Sequence, residues 1–412
     1  MAVHTLDEIY TKDALEMQKQ RYAAAAAEFE KRFLTKAGRF FSAPGRTEVG
    51  GNHTDHNHGR VMAAGVSLDV IAAVIPTDDG IIEVHSEGFP ADRVDLSDLS
   101  VHKDEEGSSA ALIRGVAAGF SENGHRIGGF RAYTTSNVLK GSGLSSSAAF
   151  EVLIGNILNG LYNEGSVSAV EIAKLSQYAE NVYFGKPSGL MDQMASSVGG
   201  FITIDFADPA KPVIEEIALD LSAAGHSLCI VDTKGSHADL TPEYAAIPAE
   251  MKAAARFFGR EVLKGISKED IVANIPVLRK SCGDRAVLRA LHFADENERV
   301  VKESKALKNG RFEDFLAEVR SSGRSSYMYL QNVFAASKPA EQGLSLALYL
   351  AADVLGDEGA YRVHGGGFAG TIQAFVPEGK LEKFRSTMES VFGQGSCYVL
   401  SVRPFGGTEV RL

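Results

Sequence analysis

Four stretches of this 412-residue chain gather side chains whose types and spacing could do chemistry. The first, residues 141–149, reads Gly-Ser-Gly-Leu-Ser-Ser-Ser-Ala-Ala. A Gly-Ser-Gly turn that opens a helix aims several free backbone N–H groups and the positive end of the helix dipole at one point, which suits a phosphate. Glycine lets the main chain approach the anion closely, and serine hydroxyls add donors or bind a magnesium ion. A helix cap built of small residues is the competing reading. The stretch is not a Walker A loop, and the Gly185-Lys186 pair elsewhere is followed by Pro187 where Ser or Thr is required.

The second stretch, residues 44–59, sets Arg46, Glu48, Asn52, His53, Asp55, His56, Asn57 and His58 among glycines. A core does not tolerate so many polar groups without partners, so they line a surface, a metal or a polar ligand. A hydroxyl-rich sugar fits, because Asp55 can accept from two vicinal hydroxyls while His53 and Asn52 supply directional partners. His53, Asp55, His56 and His58 also have metal-ligand chemistry, although their spacing matches no zinc motif. A solvated polar turn is the third reading. The remaining stretches are Gly189-Leu190-Met191-Asp192-Gln193, in which Asp192 is a general base or a helix cap, and Gly365-Gly366-Gly367-Phe368-Ala369-Gly370. The glycines of the latter suit either a backbone close to a ligand or a tight hairpin.

These stretches need elements to hold them. Helical spacing and the run of alanines at 23–27 predict one long helix over 6–34. Strands are expected at 66–75 and 81–85, joined as a hairpin by Asp78-Asp79-Gly80. A helix over 109–120 precedes a strand at 129–137, which feeds the Gly-Ser-Gly loop, and helices follow to 162 and over 167–183. The second half repeats the mixture, with a strand at 227–233, several helices from 242 to 355, and a strand pair around Gly365-Gly366-Gly367. The pattern is α+β in two lobes, and Asp208-Pro209-Ala210-Lys211-Pro212 marks the expected boundary between 1–210 and 211–412.

Composition narrows the partners. Lys+Arg of 42 against Asp+Glu of 53 gives a net charge of −11, which disfavours nucleic acid and acidic membranes as partners. Cys229, Cys282 and Cys397 are too few and too scattered for a disulfide framework or a zinc ribbon. Asp7, Glu8, Asp13 and Glu16 near the start argue against a secretory signal, and no apolar run approaches the ~18 residues of a membrane span. A cytoplasmic enzyme acting on a small molecule is expected, as a monomer or weak homo-oligomer.

Taken together and in order, the motifs resemble those of the GHMP kinase superfamily, and within it most closely those of the galactokinases. The resemblance rests on Gly45-Arg46 with Gly51, His53-Thr54-Asp55 and Asn57; on residues 141–148; on Gly189-Leu190-Met191-Asp192-Gln193; and on Gly365-Gly366-Gly367-Phe368. It implies an N-terminal lobe like domain 2 of ribosomal protein S5 and a ferredoxin-like C-terminal lobe, with the active site between them. The implied reaction is ATP-dependent phosphorylation of the anomeric hydroxyl of galactose. Asp192 would be the base and Arg46 would hold it ionised. Gly141, Ser142, Gly143, Leu144, Ser145, Ser146 and Ser147 would bind ATP, and Ser147 with Glu180 would bind magnesium. Asn52, His53, Asp55, Gly189 and Tyr244 fall at sugar-contacting positions.

The chain departs from the pattern in places. Asn52 stands where galactokinases have the Glu that meets the sugar's sixth carbon, which opens the site to galacturonate or to arabinose. Glu48 replaces an Asn, Leu139 replaces a Pro, and Ser109 and Leu112 stand where aromatic residues often flank adenine. Relatives that act as non-catalytic sugar and ATP sensors have lost part of the Ser-Ser-Ala sequence; this chain keeps Ser146-Ser147-Ala148 and Asp192. His53-Thr54-Asp55 and Tyr244 argue against the homoserine and mevalonate branches of the superfamily.

Overall fold

The computed structural model describes residues 3–138, 143–236 and 239–412. Two long strands, β2 (Arg39–Gly50) and β3 (Arg60–Thr77), organise the N-terminal lobe, and the small and β-branched residues of β3 are buried along most of its length. They pair antiparallel, with register shifts between Pro44 and Arg46 and between Glu48 and Gly50. Such irregularities bend a strand and re-aim its side chains. Here they fall on the segment that carries Arg46 and Glu48.

Around this pair lie β1 (Val3–Thr5), β4 (Ile81–Ser86), β5 (Asp92–Asp95), β6 (Gly129–Ser136), β7 (Phe201–Asp205) and β8 (Val213–Ile217). The sheet is completed by β13 (Thr408–Arg411), in the order β1-β13-β2-β3-β6-β4-β5, with β7 and β8 extending from β3. Two expectations are corrected here. The strands flanking Asp78-Asp79-Gly80 do not form a hairpin, because β6 inserts between them, antiparallel to β3 and parallel to β4. The expected boundary at 210 does not follow the sheets, since β8 lies beyond it and the C-terminal β13 returns to pair with β2.

The expected N-terminal helix is also interrupted. A single turn, Leu6–Ile9, ends at Tyr10 in extended conformation, and the main helix is Leu15–Phe33. The break brings the Tyr10 hydroxyl to the buried carboxylate of Asp69, which Arg21 and Arg403 also hold. On the opposite face of the sheet, the helix Ser146–Tyr162 buries Val152, Leu153, Ile154, Ile157 and Leu158 in the largest core cluster. This burial fixes the N-terminal end of the helix, where the phosphate-cradle sequence lies.

The C-terminal lobe contains β9 (His226–Asp232), β10 (Ala360–Val363), β11 (Thr371–Pro377) and β12 (Cys397–Leu400), paired in the order β10-β11-β9-β12. With the helices Gly343–Leu355 and Leu381–Phe392 they make the β-α-β-β-α-β path of a ferredoxin-like lobe, as expected. A helical layer, chiefly Thr241–Phe257, Asp284–Lys308 and Phe312–Ser325, is inserted after β9. Among the described residues, no helix is long and apolar enough to cross a membrane.

Candidate active site

Residues 51–59 connect β2 to β3, and their polar side chains divide into two groups. One group builds the loop. Thr54 Oγ1 donates to Gly51 O at 2.9 Å and Arg60 O at 2.6 Å, and Asn57 Oδ1 accepts from Leu263 N at 3.1 Å. The helix Asp284–Lys308 anchors the loop from below: His292 Nε2 donates to Asn52 O at 3.0 Å, and Glu296 Oε1 accepts from Gly51 N at 3.1 Å. The second group, His53, Asp55 and His56, lines a cleft of about 250 Å³ together with Arg46, Glu48, Gly189 and Asp192. Gly365 and Gly366 of the C-terminal lobe close its other side. Among the described residues no cluster of three or more His, Cys, Asp or Glu is arranged to hold a metal.

His53 has a left-handed backbone (φ 59°), and its Nε2 donates to Gly366 O at 3.0 Å, so this bond links the lobes. Burial lowers its pKa to about 4, with His56 adding to the shift and the Gly366 contact opposing it. The folded state thus refuses a proton that the unfolded chain accepts near 6.5. The stability His53 contributes is full above about pH 6.5 and is lost as pH falls toward 4. In an NMR titration the His53 ring resonances should move with a midpoint near 4; a midpoint near 6.5 contradicts this environment.

Gly189 sits against Asp55. A Cβ added there would meet Asp55 Oδ2 at 1.9 Å, so only glycine leaves this carboxylate in place. In Gly189→Ala the added methyl should displace the Asp55 carboxylate from the cleft wall. A crystal structure of the variant checks this, and an unmoved Asp55 contradicts it.

Asp192 and Arg46 form the electrostatic centre of the cleft. Arg46 donates from Nε to Oδ1 at 2.7 Å and from Nη2 to Oδ2 at 2.8 Å, a bidentate pair. The same guanidinium reaches Gly143 O, and its Nη2 donates to Ser145 Oγ at 3.1 Å; Ser145 Oγ in turn donates to Asp192 Oδ2. Arg46 N donates to Leu144 O at 3.0 Å. Burial alone would raise the Asp192 carboxyl, but the charge of Arg46 and the hydrogen bonds from Arg46 and Ser145 bring it down to about 2. Asp192 is therefore an ionised acceptor in the first turn of the helix Met191–Val198, rather than a cap.

The loop beside this pair ends at Ser145, whose left-handed backbone (φ 56°) starts the helix Ser146–Tyr162 without capping it by its side chain. The first-turn N–H groups of a helix lack intrahelical partners, which makes this end an anion site. Gly141 and Ser142 lie outside the described residues. Gly143 is exposed, and a Cβ there would meet Thr371 Oγ1 at 2.9 Å and His364 Nδ1 at 3.0 Å, so the C-terminal lobe packs against this loop. Leu144 is fully buried and anchors it.

Ser147 and Glu180 are brought together, Ser147 Oγ donating to Glu180 Oε1 at 3.0 Å. Glu180 belongs to a widened helical turn, Ala179–Tyr183, that interrupts the expected helix over 167–183. Lys186 Nζ lies 2.7 Å from Oε1, while Ser188 Oγ and Gln193 Nε2 donate to Oε2 at 2.5 Å and 2.8 Å. A hydroxyl and one carboxylate at an anion loop fit magnesium, a hard cation usually held by few protein oxygens and by substrate phosphates.

Two expected sugar contacts are absent from the cleft lining. Tyr244 lies behind the glycine turn, donating to Gly367 O at 2.8 Å. Asn52 is fully buried, and its amide is engaged by Glu48, Gly365, Ser326 and Asn332, so the opening for a uronic acid at this position is not realised. Glu48 and Lys186 line the cleft instead. The sequence singles out Glu48 as a departure from the resemblance, whereas Lys186 draws notice only because Pro187 follows it.

An α+β fold in two lobes, with a small-residue loop that opens a helix and is hydrogen-bonded to an Arg-paired carboxylate beside the interlobe cleft, is the arrangement of the GHMP kinases. The family described as "GHMP kinases N terminal domain" matches residues 107–200, and the "Galactokinase galactose-binding signature" matches residues 27–76. The galactokinase of Streptomyces coelicolor is 34% identical over 357 residues, covering 85% of this chain and 88% of the relative. That of Lactobacillus helveticus is 30% identical, covering 88% of this chain and 92% of the relative. The crystal structure of Lactococcus lactis galactokinase complexed with galactose superposes with a TM-score of 0.79 at 25% identity, covering 94% of this chain and 99% of that one. A mevalonate kinase structure at 15% identity and a TM-score of 0.62 shares the fold. The chain belongs to the galactokinase family.

Proposed function

We propose that this protein transfers the γ-phosphoryl group of ATP to the anomeric hydroxyl of galactose. The observation that carries this reading is the bidentate Arg46–Asp192 pair, tied through Ser145 to the anion loop and sharing one cleft with His53, Asp55 and Gly189. The sugar rests on His53, Asp55 and the Gly189 backbone, with its anomeric hydroxyl on Asp192. The triphosphate is placed at the N-terminal end of the helix Ser146–Tyr162, beside Gly143 and Ser145.

Asp192 Oδ1 accepts one bond from Arg46 and keeps capacity for another donor. A carboxylate with a pKa of about 2 is a weak base, so it orients the hydroxyl first and takes the proton late, as the new O–P bond forms and the bond to the leaving ADP breaks. Arg46 and the helix N–H groups offset charge on the moving phosphoryl group. Ser147 and Glu180 would hold a magnesium ion, which supplies charge neutralisation to the phosphates.

The test is an acceptor panel of galactose, galacturonate, arabinose, galactosamine and mevalonate with ATP and magnesium. Galactose should give the highest kcat/KM. A preference for mevalonate, or no acceptor-dependent release of ADP, contradicts the reading; the latter is the outcome a non-catalytic sensor would give.

A further inference from the structure

Glu48 lines one end of the cleft and Asn52 is buried directly behind it, so only Glu48 has an atom to offer a ligand. Asn52 Nδ2 donates to Glu48 Oε1 at 2.8 Å and to Gly365 O at 2.9 Å. Its Oδ1 accepts from Asn332 Nδ2 at 2.9 Å and from Ser326 Oγ at 3.1 Å. A side-chain amide has two donor hydrogens and two acceptor lone pairs, so all four are used. Glu48 differs. Its Oε1 accepts from Asn52 and from Arg362 Nη2 at 2.7 Å, whereas its Oε2 accepts nothing from the described residues and is not sealed in the interior. Arg362 is itself fully buried and also donates to Val49 O at 2.8 Å, which fixes the guanidinium that grips the carboxylate.

Position along the strand gives the geometry. Glu48 follows Arg46 by two residues on β2 and both line the same cleft, their Cα positions about 6–7 Å apart along the strand. That is roughly the span of one pyranose ring. We infer that Glu48 selects the sugar: its Oε2 accepts a hydroxyl from the end of the ring remote from the anomeric carbon, while Asn52 and Arg362 act as positioning residues that hold the carboxylate. This rests on the kinase reading for which end of the sugar meets Asp192.

The two departures from the expected motif are thus one feature. Where the resemblance places an amide at 48 and an acid at 52, this chain has the acid at 48 and the amide at 52, hydrogen-bonded to each other. The cleft keeps its carboxylate but presents it from the strand instead of the loop. The substrate class follows from that chemistry. A neutral hexose supplies the hydroxyl; a uronic acid sets a second carboxylate against Glu48; a pentose leaves Oε2 without a donor.

The experiment measures binding by calorimetry on the full chain without ATP, using galactose, galacturonate and arabinose. It is run near pH 8, because burial raises the Glu48 carboxyl above its ordinary value, against the pull of Arg362 and Arg46. Wild type should bind galactose about 10- to 100-fold more tightly than either other sugar. In Glu48→Gln, whose side-chain carbonyl can still accept from Asn52 and Arg362, the gap between galactose and galacturonate should shrink about tenfold with MgATP binding unchanged. If that variant does not fold, Glu48→Asp, which withdraws the carboxylate by one methylene, should weaken galactose binding about tenfold. Equal binding of galactose and galacturonate by wild type, or a gap that neither variant moves, overturns the inference. Selective binding without sugar-dependent ATP turnover would instead overturn the kinase reading and leave Glu48 as the selecting residue.

Discussion

Replacing Asp192 by Asn is expected to lower kcat about 10²- to 10⁴-fold while changing sugar and ATP affinity only a few-fold. The amide keeps the size of the side chain and one acceptor oxygen, so the hydroxyl can still dock. It cannot take the proton, and it leaves the charge of Arg46 without its carboxylate partner. Residual turnover should persist, because positioning and the charges aimed at the phosphate supply much of the acceleration of a loose phosphoryl transfer. Single-turnover kinetics with separate binding measurements checks this. A kcat within threefold of wild type would remove Asp192 from the chemistry.

Replacing Arg46 by Met should act on three observables at once. The variant strands the Asp192 carboxylate, and breaking a buried pair costs about 3–5 kcal/mol of stability when one charge is left uncompensated. Turnover should fall about 10²- to 10³-fold through lost stabilisation of the phosphoryl charge. The distinctive readout is pH. In wild type Asp192 titrates near 2, so its ionisation leaves no mark on activity above about pH 4. Without Arg46, burial dominates and the carboxyl rises, so the residual activity should climb with pH through the acidic range where wild type is flat. A variant whose acidic limb coincides with that of wild type would show that Arg46 does not set the ionisation of Asp192.

The chemistry of this site was more legible in the sequence than its exact membership. Gly143, Ser145, Ser146 and Ser147 and the acid at 192 left an anion loop and an acceptor open beside helix caps. Close backbone approach and an ionisable group next to a glycine turn are local features that a cap shares, and the resemblance chose between them. The role of Arg46 came from the resemblance alone, since its contact with Asp192 spans 146 positions in sequence and no local pattern reports it. Asn52 was misassigned for a physical reason. Its type suits a sugar hydroxyl, but whether an amide faces a ligand or the protein depends on Ser326, Asn332 and Gly365, more than 270 residues away, which no local pattern reports. Glu48 is the complementary case, an acid whose free oxygen becomes visible only once Asn52 and Arg362 are seen to occupy the other.

The fold divides in the same way. Helices with a strong apolar face and the β-α-β-β-α-β order of the second lobe follow from periodicity and turn residues. Strand partnership does not. Asp78-Asp79-Gly80 is a good turn sequence, yet β6 pairs between the strands it joins, and the C-terminal β13 crosses back to the first sheet. Both outcomes are decided by the burial of long-range faces, as is the break at Tyr10 that satisfies the carboxylate of Asp69.

The central claim is that one cleft brings the terminal phosphate of ATP to the hydroxyl on the sugar's first carbon. It is tested most directly by incubating the protein with MgATP and galactose labelled with carbon-13 at that carbon, and recording the carbon spectrum of the product. Splitting of the labelled resonance by phosphorus, growing in step with ADP, is the predicted result. ATP consumed while the labelled resonance stays unsplit and unshifted would contradict it.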